Sequence, residues 1–161
     1  MLLWLIVLTG VACLSCPLPP APGLASHSHV VATLRHLFLS DNKITSLPAE
    51  IGNLTNLSLI SLRDNRLTHL PPEIGKLSKL VEFNIQGNDI AFFPAEMAGL
   101  PLDGEESVFK AAGNPLIPEI VKALEKNGPK ALLAYLASEE YKPVLEKALQ
   151  DFESKGSKKK K

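Results

Sequence analysis

Aliphatic residues recur along the middle of the chain with a fixed spacing of 23 residues. Three successive segments, 34–56, 57–79 and 80–100, fit the pattern LxxLxLxxNxLxxLPxxIGxLxx, in which x is any residue. At the start of each segment apolar and polar residues alternate with a period of two, which predicts a short strand with one buried face. A fixed period of this length indicates a stack of similar coils in which each coil buries its neighbours.

The columns of this pattern assign a place to each side chain. Inward-facing strand positions are Leu37, Ile60 and Phe83 in one column and Leu39, Leu62 and Ile85 in the next. A proline follows later in each repeat, at Pro48, Pro71 and Pro94, and favours an irregular or 3₁₀ segment without ladder hydrogen bonds. The period lies within the range of leucine-rich repeats. We therefore predict an α/β leucine-rich-repeat solenoid with short parallel strands on the concave face, an irregular or 3₁₀ convex side and a helical C-terminal cap.

One asparagine stands in each repeat where the chain must turn away from the strand. These residues are Asn42, Asn65 and Asn88, and Asn114 follows 26 residues later in a degenerate fourth repeat whose strand contains Phe109 and Ala111. A buried amide at this position can bond to backbone groups of its own coil and of the neighbouring coil. The sequence therefore predicts an asparagine ladder that joins the coils.

The chain divides into four parts. Residues 1–29 form an apolar, signal-like leader and a Pro/Ser/His linker, residues 30–116 hold three full repeats and one degenerate repeat, residues 117–153 form the helical cap, and residues 154–161 form a Lys-rich tail. In the cap, prolines predict helices over 118–126, 129–138 and 143–152, with a stop at Asn127-Gly128.

The two ends of the chain differ from the repeats in composition. The apolar run in residues 1–16 is too short to span a bilayer, and no Lys or Arg precedes it to form a charged start. Five of the last seven residues are lysine, whereas residues 1–154 carry 12 basic and 17 acidic residues, a net charge of −5. We expect residues 154–161 to be a disordered, solvated tail, with weak contact to an acidic membrane as the alternative.

The sequence contains no pattern typical of an enzyme. His36 and His69 have no serine or cysteine nucleophile at a recognisable spacing, and no Gly-rich phosphate loop is present. Cys13 and Cys16 lack the second ligand pair of a zinc site. We therefore expect no catalytic residue, no cofactor, no metal, no small-molecule substrate and no nucleic-acid partner.

Strand residues that face outward from a stack of coils form a rigid platform for a protein partner. The phase of the repeat gives as partner-binding candidates His36, Phe38, Ser40 and Asp41 from the first coil, Leu59, Ser61, Arg63 and Asp64 from the second, and Glu82, Asn84 and Gln86 from the third. Phe38 and Leu59 are apolar at outward positions and have charged neighbours of both signs, which is typical of a small binding hot spot.

The stretches LFLSDN, LISLRDNRL, FNIQGNDI, LDGEESVFKAAGNP and EEYKPVLEKAL carry a more specific resemblance. Over residues 34–145 the chain resembles the C-terminal half of the Ras suppressor proteins. This resemblance implies a cytoplasmic adaptor at integrin adhesion sites that binds a LIM domain of PINCH, a partner of integrin-linked kinase, and that modulates Ras signalling. The family has further repeats upstream and lacks the apolar leader, so partner residues in those repeats have no counterpart here.

A rival interpretation is a secreted or membrane-associated recognition module that is exported through residues 1–16. Two acceptor sequons, Asn53-Leu54-Thr55 and Asn56-Leu57-Ser58, fit that interpretation. The absence of cysteine after Cys16 speaks against it, because small extracellular domains usually contain disulfides.

Overall fold

Four short strands form a single parallel sheet. The structure is a computed structural model that describes residues 33–158, so the predicted leader and linker over 1–29 lie outside the described residues. The strands are β1 (His36–Phe38), β2 (Leu59–Ser61), β3 (Glu82–Asn84) and β4 (Val108–Lys110), and they pair in the order β1-β2-β3-β4. This order confirms the predicted stack, because each repeat adds its strand beside the strand of the repeat before it.

The strand register follows the alignment of the repeats. Leu37, Ile60, Phe83 and Phe109 are paired across the four strands. The first three of these side chains are fully buried, and Phe109 packs its ring against the rings of Phe83 and Phe93, each with centroids 5.9 Å apart. The longer spacing before β4 is absorbed by the loop 101–107, which leaves Phe109 in register.

Three 3₁₀ segments form the opposite side of the coils, over Ala49–Asn53, Pro72–Lys76 and Ala95–Gly99. Each segment follows a proline in extended conformation, which cannot supply a ladder hydrogen bond. The coils approach closely here: a Cβ atom on Gly75 would lie 2.3 Å from the carbonyl oxygen of Glu96 in the next coil. Glycine in the IG dipeptide of the repeat therefore allows the coils to pack at this distance.

The side chain of Asn65 joins two coils through hydrogen bonds in both directions. Its Nδ2 donates to the Leu39 carbonyl of the preceding coil at 2.8 Å and to the Leu62 carbonyl of its own coil at 3.0 Å. Its Oδ1 accepts the backbone N–H of Ile44 at 3.1 Å. Asn65 is 7 % exposed, so these bonds satisfy backbone groups that water does not reach.

The same bonds recur one coil later. Asn88 donates to the carbonyls of Leu62 and Ile85 and accepts the N–H of Leu67, and Asn114 makes the corresponding bonds to the carbonyls of Ile85 and Ala111 and to the N–H of Ile90. Asn42 differs from the expectation of a buried amide, because it is exposed and, within residues 33–158, donates only to the carbonyls of Leu39 and Ser40 in its own coil.

Two helices follow the sheet, α1 (Pro118–Leu136) and α2 (Tyr141–Lys158). The predicted stop appears inside α1, where Asn127 and Gly128 leave helical geometry and Pro129 restarts the helix. The predicted bounds of the last helix were wrong at both ends. Pro143 is the third residue of α2 rather than its first, since the N–H groups of the first turn need no partner within the helix.

Residues 154–158 are helical, which corrects the prediction of a disordered tail over this part of the chain. The prediction was based on the run of lysines. A charged run indicates that the side chains are solvated, and it does not indicate that the backbone is unfolded. Glu153, Ser154 and Lys155 contain no helix breaker, so the helix continues beyond Phe152. Residues 159–161 lie outside the described residues.

The cap is anchored to the coils at separate points. The hydroxyl of Tyr141 donates a hydrogen bond to the carbonyl of Phe93 in the third coil. Further along α2, the ring of Phe152 contacts Phe92 of the third coil and His69 of the second, with centroids 6.2 and 5.7 Å apart. Helix α2 therefore runs back along the stack and spans at least two coils.

We predict that Asn65→Ala destabilises the protein by about 3 kcal/mol, because it removes the bonds between two coils and leaves the buried N–H of Ile44 without an acceptor. Asn42→Ala is the matched control and should lower the free energy of unfolding by less than about 1 kcal/mol, since Asn42 is exposed and bonds only within its own coil. Urea unfolding monitored by circular dichroism measures both values. Equal losses in the two variants would contradict the ladder's role.

Burial raises the pKa of Tyr141 from 10.0 to about 12, because the charged phenolate loses its contact with water. The phenol of the unfolded chain ionises at lower pH than the folded one, so the stability that this residue contributes is complete below pH 10 and declines as the pH rises toward about 12. Tyr141→Phe should remove the highest-pH component from a tyrosinate absorbance titration of the folded protein. A Tyr141 that ionises at its ordinary pKa would overturn this prediction.

Candidate functional site

The outward side chains of the sheet form regular rows across the strands. His36, Leu59, Glu82 and Val108 are paired in one row, and Phe38, Ser61, Asn84 and Lys110 in the next. Neighbouring strands of a sheet lie about 4.8 Å apart, so each row brings residues from separate repeats within contact distance. We call the eleven predicted partner-binding residues together with Val108 and Lys110 the strand face.

The predicted residues of the strand face differ in exposure. His36, Phe38, Asp41, Arg63 and Asp64 are exposed, whereas Ser40, Leu59, Ser61, Glu82, Asn84 and Gln86 are half-buried among their neighbours. The exposed side chains come from the first two coils, and His36 is paired with Leu59. Among the predicted residues, the accessible ones therefore lie on β1 and at the turns that follow β1 and β2.

Phe38 is the most exposed large apolar side chain in the part of the chain that the structure describes, at 50 %. Leu59, on the neighbouring strand, is paired with His36 and lies diagonally across from Phe38. Diagonal neighbours on a sheet lie about 7 to 8 Å apart, which is within reach of an aromatic side chain. Phe38 and Leu59 together form an apolar centre over β1 and β2.

Polar side chains near the ends of β1 and β2 bond to one another at the edge of the strand face. The hydroxyls of Ser40 and Ser61 lie 2.8 Å apart and bridge two coils. Arg63 Nε donates to Asp64 Oδ2 at 2.8 Å in an ion pair whose side chains are both exposed. An exposed pair of this kind adds little stability, but it orients the guanidinium group beside the apolar centre.

One position in the turn after each strand has a positive φ, and aspartate or glycine occupies it. Asp41 and Asp64 have φ values of 58° and 52°, and Gly87 and Gly113 take the same left-handed conformation in the next two coils. The turn therefore has the same shape in all four coils, whichever residue occupies it. A Cβ atom on Gly87 would lie 2.3 Å from Oδ1 of Asp64, so glycine leaves room for this carboxylate.

Sequence reasoning missed two residues of the strand face, Val108 and Lys110. Both are exposed on β4 and continue the rows of Glu82 and Asn84. The alternation around Phe109 and Ala111 contained the information, because their neighbours in a strand must face outward.

Within residues 33–158 no three or more His, Cys, Asp or Glu side chains come together as a metal site. None of the helices over the same range is both long enough and apolar enough to cross a bilayer. Of the two sequon asparagines, Asn53 is exposed at the end of the first 3₁₀ segment, and Asn56 is half-buried and accepts a hydrogen bond from Lys79 Nζ at 2.6 Å.

Comparisons with known proteins agree with this architecture. Residues 24–101 match a family model described as a leucine-rich repeat region. A leucine-rich-repeat protein of Leptospira interrogans has a similar structure, with a TM-score of 0.54 and 34 % sequence identity over 65 % of this chain and 26 % of that chain. The BIR2 ectodomain from Arabidopsis thaliana matches with a TM-score of 0.45 and 19 % identity over 56 % of this chain and 62 % of that chain. No curated protein matches the sequence.

The repeats, their register and the match to the family model define the fold as a leucine-rich-repeat solenoid with a helical C-terminal cap. The chain spans only 26 % of the length of the Leptospira structure. Solenoids of this class are generally protein-binding scaffolds, and their exposed strands supply an extended binding surface.

We predict that Gly87→Ala lowers the free energy of unfolding by about 1 to 3 kcal/mol, because alanine is strained at a φ of 64° and its Cβ displaces the Asp64 carboxylate. Gly104→Ala is the control, since a Cβ atom there meets nothing within 4 Å. Urea unfolding of the two variants gives the comparison. A Gly87→Ala variant as stable as the control would show that the turn tolerates a side chain.

Proposed function

We propose that this chain is a protein-binding adaptor that engages its partner through the strand face, and that the partner is a LIM-domain adaptor of the integrin-linked-kinase complex. The observation that carries the first part is the half-exposed ring of Phe38 beside Leu59 on a rigid sheet. Resemblance to the Ras suppressor proteins supports the second part. A cytoplasmic location at adhesion sites, with an influence on Ras signalling, follows from the same resemblance.

The composition of the strand face fits a protein surface rather than a small ligand. The same face contains a cation at Arg63 and carboxylates at Asp41 and Glu82, and Glu82 is paired with Leu59. Interface hot spots combine a desolvated apolar or aromatic anchor with a polar rim of this type. The coil-to-coil bonds of Asn65 and Asn88 hold the backbone beneath this surface. The docking of a partner therefore costs little conformational entropy in this chain.

The size of the strand face sets the strength of binding that we expect. A standard interface uses about 20 to 30 residues on each side. The strand face consists of the eleven predicted residues with Val108 and Lys110, which is about half of that number. We therefore expect a transient interface with a Kd in the micromolar range, on the order of −8 kcal/mol.

The test is a calorimetric titration of the full chain with the purified LIM domains of PINCH. We predict that Phe38→Ala weakens binding at least about tenfold, because a truncated hot-spot residue costs about 2 kcal/mol. Arg63→Ala should weaken it by about two- to fivefold, since the guanidinium group lies exposed at the rim. Leu149→Ala is the matched control, an exposed apolar residue (42 %) on α2, and should leave binding unchanged.

The outcomes separate the two parts of the proposal. Binding that survives both Phe38→Ala and Arg63→Ala would place the interface outside the strand face. Failure of the unchanged chain to bind any LIM domain of PINCH would reject this partner. Circular dichroism of each variant establishes that a loss of binding is not a loss of fold.

A further inference from the structure

A cleft of about 590 Å³ runs along the outer edge of β4, on the side away from β3. One wall is the backbone of the last coil over residues 109–114, and the other is formed by α1 with Val121 and Leu124 and by the bend at Gly128 and Pro129. We call this space the edge cleft. It shares only Gln86 and Lys110 with the strand face.

Backbone N–H groups of each coil donate to the coil that follows. Leu39 donates to the Ser61 carbonyl, Leu62 to Asn84 and Ile85 to Lys110, at 2.7 to 2.8 Å. Two residues further along, Asp41 donates to the Arg63 carbonyl, Asp64 to Gln86 and Gly87 to Ala112, at 2.8 to 3.0 Å. Each of the first three coils therefore presents a row of donors that the next coil satisfies.

Ala111 and Gly113 are the equivalent residues of the last coil, and they line the edge cleft. Val108 donates to the Val81 carbonyl and the Lys110 carbonyl accepts from Ile85, so in a parallel ladder the N–H and C=O of the intervening Phe109 point away from β3. No group within residues 33–158 accepts from the N–H of Phe109, Ala111 or Gly113. Three donors on alternate residues therefore face the edge cleft.

The acceptor side of the last coil is incomplete in the same way. The carbonyls of Leu39, Leu62 and Ile85 each receive two asparagine amides, one from their own coil and one from the next. The carbonyl of Ala111 receives only the amide of Asn114 from its own coil. The edge cleft thus offers both donors and acceptors in the arrangement that a following coil would use.

The walls of the edge cleft are largely apolar. Val121 is 37 % exposed, and Phe109, Leu116 and Leu124 are half-buried. Lys110 and Glu125 are exposed at the margins, one of each charge. An unpaired strand edge beside apolar side chains is a template for another strand.

We propose that the edge cleft is a docking site for an extended segment of another protein, which pairs with β4 as a fifth parallel strand. Donors on alternate residues match the backbone of an extended strand, whose own bonding groups repeat every second residue. A volume of 590 Å³ suits one short segment, because a folded sheet would also have to pass the wall that α1 forms. This site does not depend on the proposed function of the strand face.

The probe is a synthetic peptide with the sequence of residues 80–88, LVEFNIQGN, added to the full chain. This segment already serves as the outer neighbour of β2 in the protein, so its apolar and amide side chains follow the repeat. Amide hydrogen exchange by NMR reports on the three donors directly. In the free chain, Phe109, Ala111 and Gly113 should exchange at least tenfold faster than Phe83, Ile85 and Gly87, and the peptide should protect them.

Two controls test whether pairing at the edge cleft causes the protection. A peptide that is N-methylated at the positions of Glu82 and Asn84 loses the donors that face the edge of β4 and should bind at least tenfold more weakly. In the protein, Val121→Glu places a carboxylate in the apolar wall and should also weaken binding at least tenfold. Lys122→Glu, on the adjacent exposed residue outside the edge cleft, should bind as the unchanged chain does.

Each result decides for or against the proposal. Slow exchange of the three amides in the free chain would show that the chain's own residues already cover β4, and would reject an external occupant. A peptide that binds without protecting these amides, or equally well after N-methylation, would also reject it. Concentration-dependent protection without peptide would identify a second copy of the chain as the occupant instead.

Discussion

The architecture depends on one interaction, the bond between an asparagine side chain and the backbone of the coil before it. A solenoid coil has too few residues to satisfy its own backbone groups where it turns away from the strand. Asn65 and Asn88 supply the missing donors and acceptor at each junction, and both are almost completely buried. Each amide bonds to two coils at once. The backbone groups of the turn are therefore all hydrogen-bonded only when the coils are stacked correctly.

This constraint also explains why outward residues can form a site. The strands contain only three residues each, too few to be stable as isolated elements. Their positions are set from beneath by the aliphatic columns and from one end by the asparagines. The residues at the outward positions are then free to vary, and in this chain three of them, Phe38, Leu59 and Val108, are apolar. Fold and surface are therefore specified by alternate residues of the same short segments.

The sequence predicted the features that repeat and missed those that occur once. The column through Leu37, Ile60 and Phe83 was identified from spacing alone, because side chains buried at equivalent places in the coils recur at a fixed interval in the sequence. Asn42 is exposed although the equivalent residues Asn65 and Asn88 are buried, a difference that the repeat pattern itself does not contain. The length of α2 and the edge cleft depend on contacts between distant parts of the chain, for which one sequence offers no periodic signal.

The return path of α2 also limits where a further repeat can be inserted. Tyr141 bonds to the third coil and Phe152 contacts the second, so the helix spans a fixed distance across the stack. One more repeat inserted between those coils would move His69 away by about 5 Å, one strand spacing. Duplication of a repeat, the usual route by which solenoids lengthen, would separate His69 from Phe152 at this position. The array can grow without disturbing this contact only on the side of β1 away from the cap.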